Sequence, residues 1–136
     1  GETGGTLWRP EVMAVLKYQP TGGLVSGFAA GPAVSEEARK GAYAQRSFKD
    51  PPALVFWADV FGVQADDEQR MSITAPGGKV IHETTSTLKS GKVSWFAFSG
   101  RKRPAEGWQA GTYRGTYTLL RKGVVVARLE DSVDLQ

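Results

Sequence analysis

A chain of 136 residues that is 40% hydrophobic, 10% aromatic and 23% charged fits one domain, is long enough to bury a real core, and is too apolar for a disordered polypeptide. It contains no cysteine, which excludes disulfides, thiolate catalysis and cysteine metal sites together. The formal charge is only +3 and the sequence pI about 9.3, but the charge is uneven: Lys89 to Arg128 holds nine Lys or Arg against Glu106 alone, a local balance of +8. Such a segment attracts an anionic partner over a range that salt screens, although solubilising charge on loops and outer strand faces gives the same pattern.

In chain order, Gly1-Glu2-Thr3-Gly4 reads as an expression scar, so residues 1–6 are set apart as scar or linker and residues 7–136 as one domain. Leu7-Trp8 and RPEVMAVLKY suit a short helix, with Pro10 in its first turn and Glu11 near the positive end of the dipole, and suit a first strand equally. Pro20 to Gly23 is a turn, Leu24 to Ala30 a short strand, and Pro32 to Pro52 a polar connection with a helical turn or an edge strand at Tyr43 to Phe48. Ala53 to Val63, ALVFWADVFGV, is the longest apolar run. It is interrupted by Asp59 and falls well short of the ~20 residues a spanning helix needs. Its apolar residues occupy both parities, Phe56, Ala58 and Val60 against Val55, Trp57 and Phe61, so it is expected to be a central strand covered on both sides.

Arg70 to Ala75 and Lys79 to Leu88 form a hairpin about Pro76-Gly77-Gly78, with proline second and glycine third in the turn. Val93 to Ser99 follows, and Gly100 to Gly107 is expected as a basic loop. The clearest stretch is Gly107 to Leu135. There Tyr113, Gly115, Tyr117 and Leu119 share one side of an extended chain, Arg121-Lys122-Gly123 turns it, and Val125, Ala127, Leu129, Val133 and Leu135 recur at period two. About seven strands separated by Gly and Pro turns predict an all-β, immunoglobulin-like antiparallel sandwich. Tyr113 at the start of the penultimate strand suits a tyrosine corner, in which the hydroxyl returns to upstream backbone.

Few residues carry chemistry. His82 is the only histidine, and Glu83 beside it points to the opposite strand face, so neither a catalytic assembly nor a zinc shell is expected. Asp66-Asp67-Glu68 offers oxygens to calcium but lacks the spacing of a calcium loop. No phosphate-binding glycine loop or nucleic-acid module is present. Among the four tryptophans, Trp57 is expected in the core and Trp108 as a lid packed on Tyr113. Trp95 alternates with Phe96 and Phe98, so if those two face inward Trp95 is carried outward. Trp95, Arg101, Lys102, Arg103 and Arg114 then form the candidate ligand-binding surface.

Leu7-Trp8, GFAAGP, ALVFWADVFGV, APGG and FSGRKRPAEGWQAGTYRGTYTLLRKG together carry a resemblance. From Leu7 onward the chain resembles the immunoglobulin-like domain that follows the catalytic domain in a group of lysostaphin-type (LytM-type) zinc endopeptidases of Gram-negative bacteria. The most specific part is W-x-x-G-x-Y followed by leucine, arginine and glycine at a turn, matched by Trp108, Gly111, Tyr113, Leu120, Arg121 and Gly123. The resemblance makes these structural residues. Relatives often carry Asp where Gly77 stands, a departure that touches turn geometry alone.

The family's catalytic signature, H-x-x-x-D with H-x-H, does not fit a chain with one histidine. The resemblance therefore implies a non-catalytic accessory module without a cofactor, linked to or associated with a murein-cleaving domain in the periplasm. It would position that domain, bind its substrate or partner, or cover its cleft. Peptidoglycan or another anionic envelope polymer is the expected ligand, with no nucleic acid and no membrane insertion. A stand-alone envelope polysaccharide or protein binder and a purely structural spacer are the rival readings.

Overall fold

The computed structural model describes residues 21–31, 38 and 46–136. The helix-or-strand choice after Trp8, and residues 32–37 and 39–45 of the polar connection, lie outside the described residues. Eight strands appear among the described residues: β1 (Gly22–Ala29), β2 (Ser47–Phe48), β3 (Ala53–Val63), β4 (Glu68–Thr74), β5 (Val80–Thr87), β6 (Lys92–Lys102), β7 (Gly111–Arg121) and β8 (Val124–Leu135). They build two sheets, β1-β3-β6 and β2-β8-β7-β4-β5. Every pairing is antiparallel except that of the two-residue β2 with the end of β8. After β3 the chain crosses to the other sheet, makes the β4-β5 hairpin, and returns as β6 beside β3. The result is an immunoglobulin-like β-sandwich, with seven full strands and one short edge strand among the described residues.

The core lies where the two periodicities meet. Phe28, Leu54, Phe56, Ala58 and Val60 project from the three-stranded sheet onto Met71, Ile73, Tyr113, Tyr117, Leu119, Ala127 and Val133 of the five-stranded one. On the outer face of the small sheet a second buried cluster joins Ala29, Val55 and Trp57 to Ala38, with Phe96 packed against it. Strand β3 is thus covered on both sides, as its apolar residues of both parities require. Gly115 makes the sheets' approach possible at the centre, because a Cβ there would lie 2.3 Å from Cδ1 of Phe56.

Three expectations are corrected by the structure. Trp95 and Ala97 face the inter-sheet core, whereas Phe96 stacks on Trp57 across the outer face at 5.7 Å and Phe98 is 50% exposed there. In β8 the alternation breaks near the turn: Leu119 pairs with Ala127 but Leu120 pairs with Val125, so Val126 is the extra residue of a bulge. That one-residue slip brings Val126 onto the core and leaves Val125 exposed. Strand β6 also runs on through Lys102, so Gly100, Arg101 and Lys102 belong to a strand and not to the basic loop.

Candidate functional site

One end of the sandwich is built by the approach to β7. The Tyr113 hydroxyl donates to the Gln109 carbonyl at 2.7 Å, which is the tyrosine corner. Trp108 meets Tyr113 edge to face with ring centroids 6.0 Å apart, and its indole N–H donates to the Pro51 carbonyl at 2.7 Å. Gly107 closes a turn on Pro104, its N–H donating to that carbonyl at 2.9 Å. Gly111 takes a φ of 136° beside Pro76, which anchors this loop to the β4-β5 turn. Burial pushes the Tyr113 phenol up, against the opposing effects of the Gln109 hydrogen bond and the Arg101 charge, so it remains a donor at neutral pH.

Between this loop, β5 and β6 lies a cleft of about 380 Å³. Trp108, Pro104 and Ile81 give it apolar walls, and Lys79, Arg101 and Glu106 bring charge to it. Arg101 is held by a hydrogen bond from Nη1 to the Ile81 carbonyl at 3.3 Å, and among the described residues its other N–H groups have no further hydrogen-bond partner. The indole N–H of Trp108 is turned to Pro51, so the carbon surface of the ring remains to line the cleft. An apolar wall beside a guanidinium fork and an ammonium suits a small ligand with a flat apolar side and a negative group.

The residues proposed from sequence do not assemble as one surface. Trp95 faces inward, its indole N–H donating to Gln69 Oε1 at 3.0 Å. It lies six residues before Arg101 on the same strand, a separation of about 20 Å. Arg103 pairs with Asp50 at 2.8 Å. Arg114, on β7, lines a separate shallow depression with Glu130, Asp131 and Ser132. Lys102 is exposed opposite Ala53. The +8 stretch is further offset by Arg121 against Asp67 and Arg128 against Glu130. Sequence reading placed Trp108 as a lid and did not set Lys79 beside Arg101. The available signal was the Pro76-Gly77-Gly78 turn, which delivers Lys79 to the same end as the basic segment.

The other chemistry-bearing groups are engaged in holding the fold. Asp67 is 1% exposed and accepts two hydrogen bonds from Arg121 and one from the Gln64 N–H at 2.8 Å. Burial by itself would raise its carboxyl, but the Arg121 and Gln64 hydrogen bonds and the Arg121 charge outweigh it and hold the group below the usual range. The acidic triplet is therefore divided: Asp67 faces inward and Glu68 pairs with Arg70. His82 is only partly exposed, and its Nε2 lies 2.6 Å from Ser99 Oγ, tying β5 of one sheet to β6 of the other. Burial, and secondarily the Arg101 charge, push the imidazole down, which keeps it neutral near pH 7. Among the described residues no three His, Cys, Asp or Glu side chains converge as a metal site.

The sequence matches no protein-family model and no curated protein. Among solved structures it is similar to the Bifidobacterium dentium β-glucuronidase complexed with coumarin-3-O-glucuronide, at 14% identity and a TM-score of 0.45, over 85% of this chain and 18% of that one. It is also similar to the CARDB domain of the PF1109 protein from Pyrococcus furiosus in complex with di-metal ions, at 17% identity and a TM-score of 0.40, over 68% of this chain and 81% of that one. The chain therefore spans under a fifth of the glucuronidase, at 18% of its length.

Proposed function

We propose that this chain is a non-catalytic accessory domain of a peptidoglycan-hydrolysing metallopeptidase of the periplasm or cell envelope, and that it works by binding at a surface cleft. The observation that carries the reading is how its polar groups are used. Asp67, His82 and Tyr113 are each held by a partner within the fold, while among the described residues Lys79 and Arg101 at the Trp108 cleft keep N–H donors for an external ligand. The signature that underlies the family resemblance supports it, since Trp108, Gly111, Tyr113, Arg121 and Gly123 each secure an end of the sandwich. A stand-alone envelope polysaccharide binder would use the same cleft and is the second reading.

The test is to incubate the isolated chain with purified peptidoglycan sacculi and follow both sedimentation and release of soluble fragments. Retention without release is the expected result. Fragment release would overturn the non-catalytic reading, and absence of retention at physiological salt would remove the binding role.

A further inference from the structure

The Trp108 cleft has a composition that narrows its ligand beyond a general affinity for envelope polymers. Its charged lining is Lys79, Arg101 and Glu106, two cations and one anion, for a formal charge of +1. A single positive charge complements one carboxylate, while Glu106 repels a more highly charged group such as a phosphate dianion. Arg101 contributes a planar fork that matches a carboxylate in two-point geometry. The apolar lining is the carbon surface of Trp108 together with Pro104 and Ile81, which suits the apolar face of a pyranose. Glu106 and the Gln109 amide, also at the cleft, can accept and donate hydrogen bonds to ring hydroxyls. At about 380 Å³ the space is near the lower end for ligand pockets, enough for one or two sugar rings.

We infer that this cleft is a subsite for a carboxylate-bearing sugar, with Arg101 and Lys79 taking the carboxylate and Trp108 taking the ring. The inference goes beyond the binding role proposed above. The sugar carboxyl of murein is amide-linked to the stem peptide wherever a stem is attached, so the ligand class is a sugar whose carboxylate is free. The inference holds whether or not a peptidase is attached.

The test is an NMR titration of the isotopically labelled chain that follows the indole N–H of Trp108, assigned with Trp108→Phe. The probes are N-acetylmuramic acid, N-acetylglucosamine as its neutral counterpart, and acetate as a free carboxylate. The acidic sugar is expected to shift Trp108 and to bind about tenfold or more tightly than either of the others. Arg101→Gln and Lys79→Gln are each expected to remove that preference while the amide spectrum of β7 stays unchanged, which separates a lost ligand contact from a lost fold. Equal binding of acetate and the acidic sugar would overturn the sugar subsite. Equal binding of both sugars would overturn the carboxylate assignment, and no shift of Trp108 would overturn the placement of the ring. Binding of the acidic sugar without retention on sacculi would leave this inference standing and remove the envelope role. Retention on sacculi that Lys79→Gln and Arg101→Gln leave intact would do the reverse.

Discussion

Arg121 grips Asp67 with two hydrogen bonds, Nε to Oδ1 at 2.9 Å and Nη2 to Oδ2 at 2.8 Å, at the end of the sandwich where β7 turns into β8. The same guanidinium reaches Thr21 Oγ1 at 3.1 Å, and that hydroxyl donates to the Gly62 carbonyl at 2.7 Å, so one arginine joins β7 to the other sheet. Arg121→Leu leaves a carboxylate buried without its counter-charge and is expected to cost about 3–5 kcal/mol in urea unfolding. Asp67→Asn is expected to cost less, because the Asn oxygen still accepts from Gln64 and the partly exposed arginine can rehydrate.

The same pair predicts a pH dependence. The folded carboxyl of Asp67 titrates below its ordinary value of 3.8. Its contribution to stability is therefore fully present above the unfolded value and is lost as pH falls through the folded one. The stability gap between wild type and Asp67→Asn should stay level from about pH 5 to 8 and narrow on acidification below about pH 4, measured by denaturant melts at each pH.

Tyr113→Phe removes the tyrosine-corner hydrogen bond but keeps the ring on Trp108. A loss of about 0.5–1.5 kcal/mol is expected, because the exposed Gln109 can offer its freed carbonyl to water. Tyr117→Phe makes a useful companion. Its partner, Gln69 Oε1, still accepts from Trp95, so the loss of this bond leaves no acceptor unmet.

Gly115→Ala places a methyl group against the Phe56 ring and is expected to destabilise by about 1–3 kcal/mol. Combining it with Phe56→Leu should recover part of that cost, and a double-mutant cycle of thermal or urea unfolding measures the coupling.

Lys122 and Gly123 form the two-residue turn between β7 and β8 with φ of 53° and 81°, the geometry of a type I′ turn. Lysine is held there in a region that non-glycine residues enter at some cost. Lys122→Asn, giving the sequence most favoured for this turn, is expected to stabilise the hairpin by up to about 1 kcal/mol, read from the denaturation midpoint.

The fold was legible wherever one strand face is apolar and the other polar. Tyr113, Gly115, Tyr117 and Leu119 alternate with Arg114, Thr116 and Thr118, and all four of the first set are buried. Strand β6 defeated the same logic because aromatic residues stand at both parities. With Trp57 and Phe96 packed on the outer face of the small sheet, no polar face marks which side is in. Val125 was misplaced by a bulge, which period-two counting cannot detect. The cleft was hidden for a different reason. Lys79 and Arg101 are far apart in sequence and come together only because β5 and β6 form adjoining edges of two sheets, tied by His82 to Ser99 and by Arg101 to Ile81. The basic segment looked continuous because its acidic partners, Asp50, Asp67 and Glu130, all lie outside it in sequence.

The most direct measurement is sedimentation of the chain with peptidoglycan sacculi at physiological salt, comparing wild type, the Lys79→Gln/Arg101→Gln double variant, and an Arg114→Gln/Arg128→Gln double variant of equal net charge. Retention of wild type and of the Arg114/Arg128 variant, with loss of the Lys79/Arg101 variant, is the expected result and places binding in the Trp108 cleft. Equal loss in both variants would reduce the interaction to bulk charge and contradict a cleft-borne function.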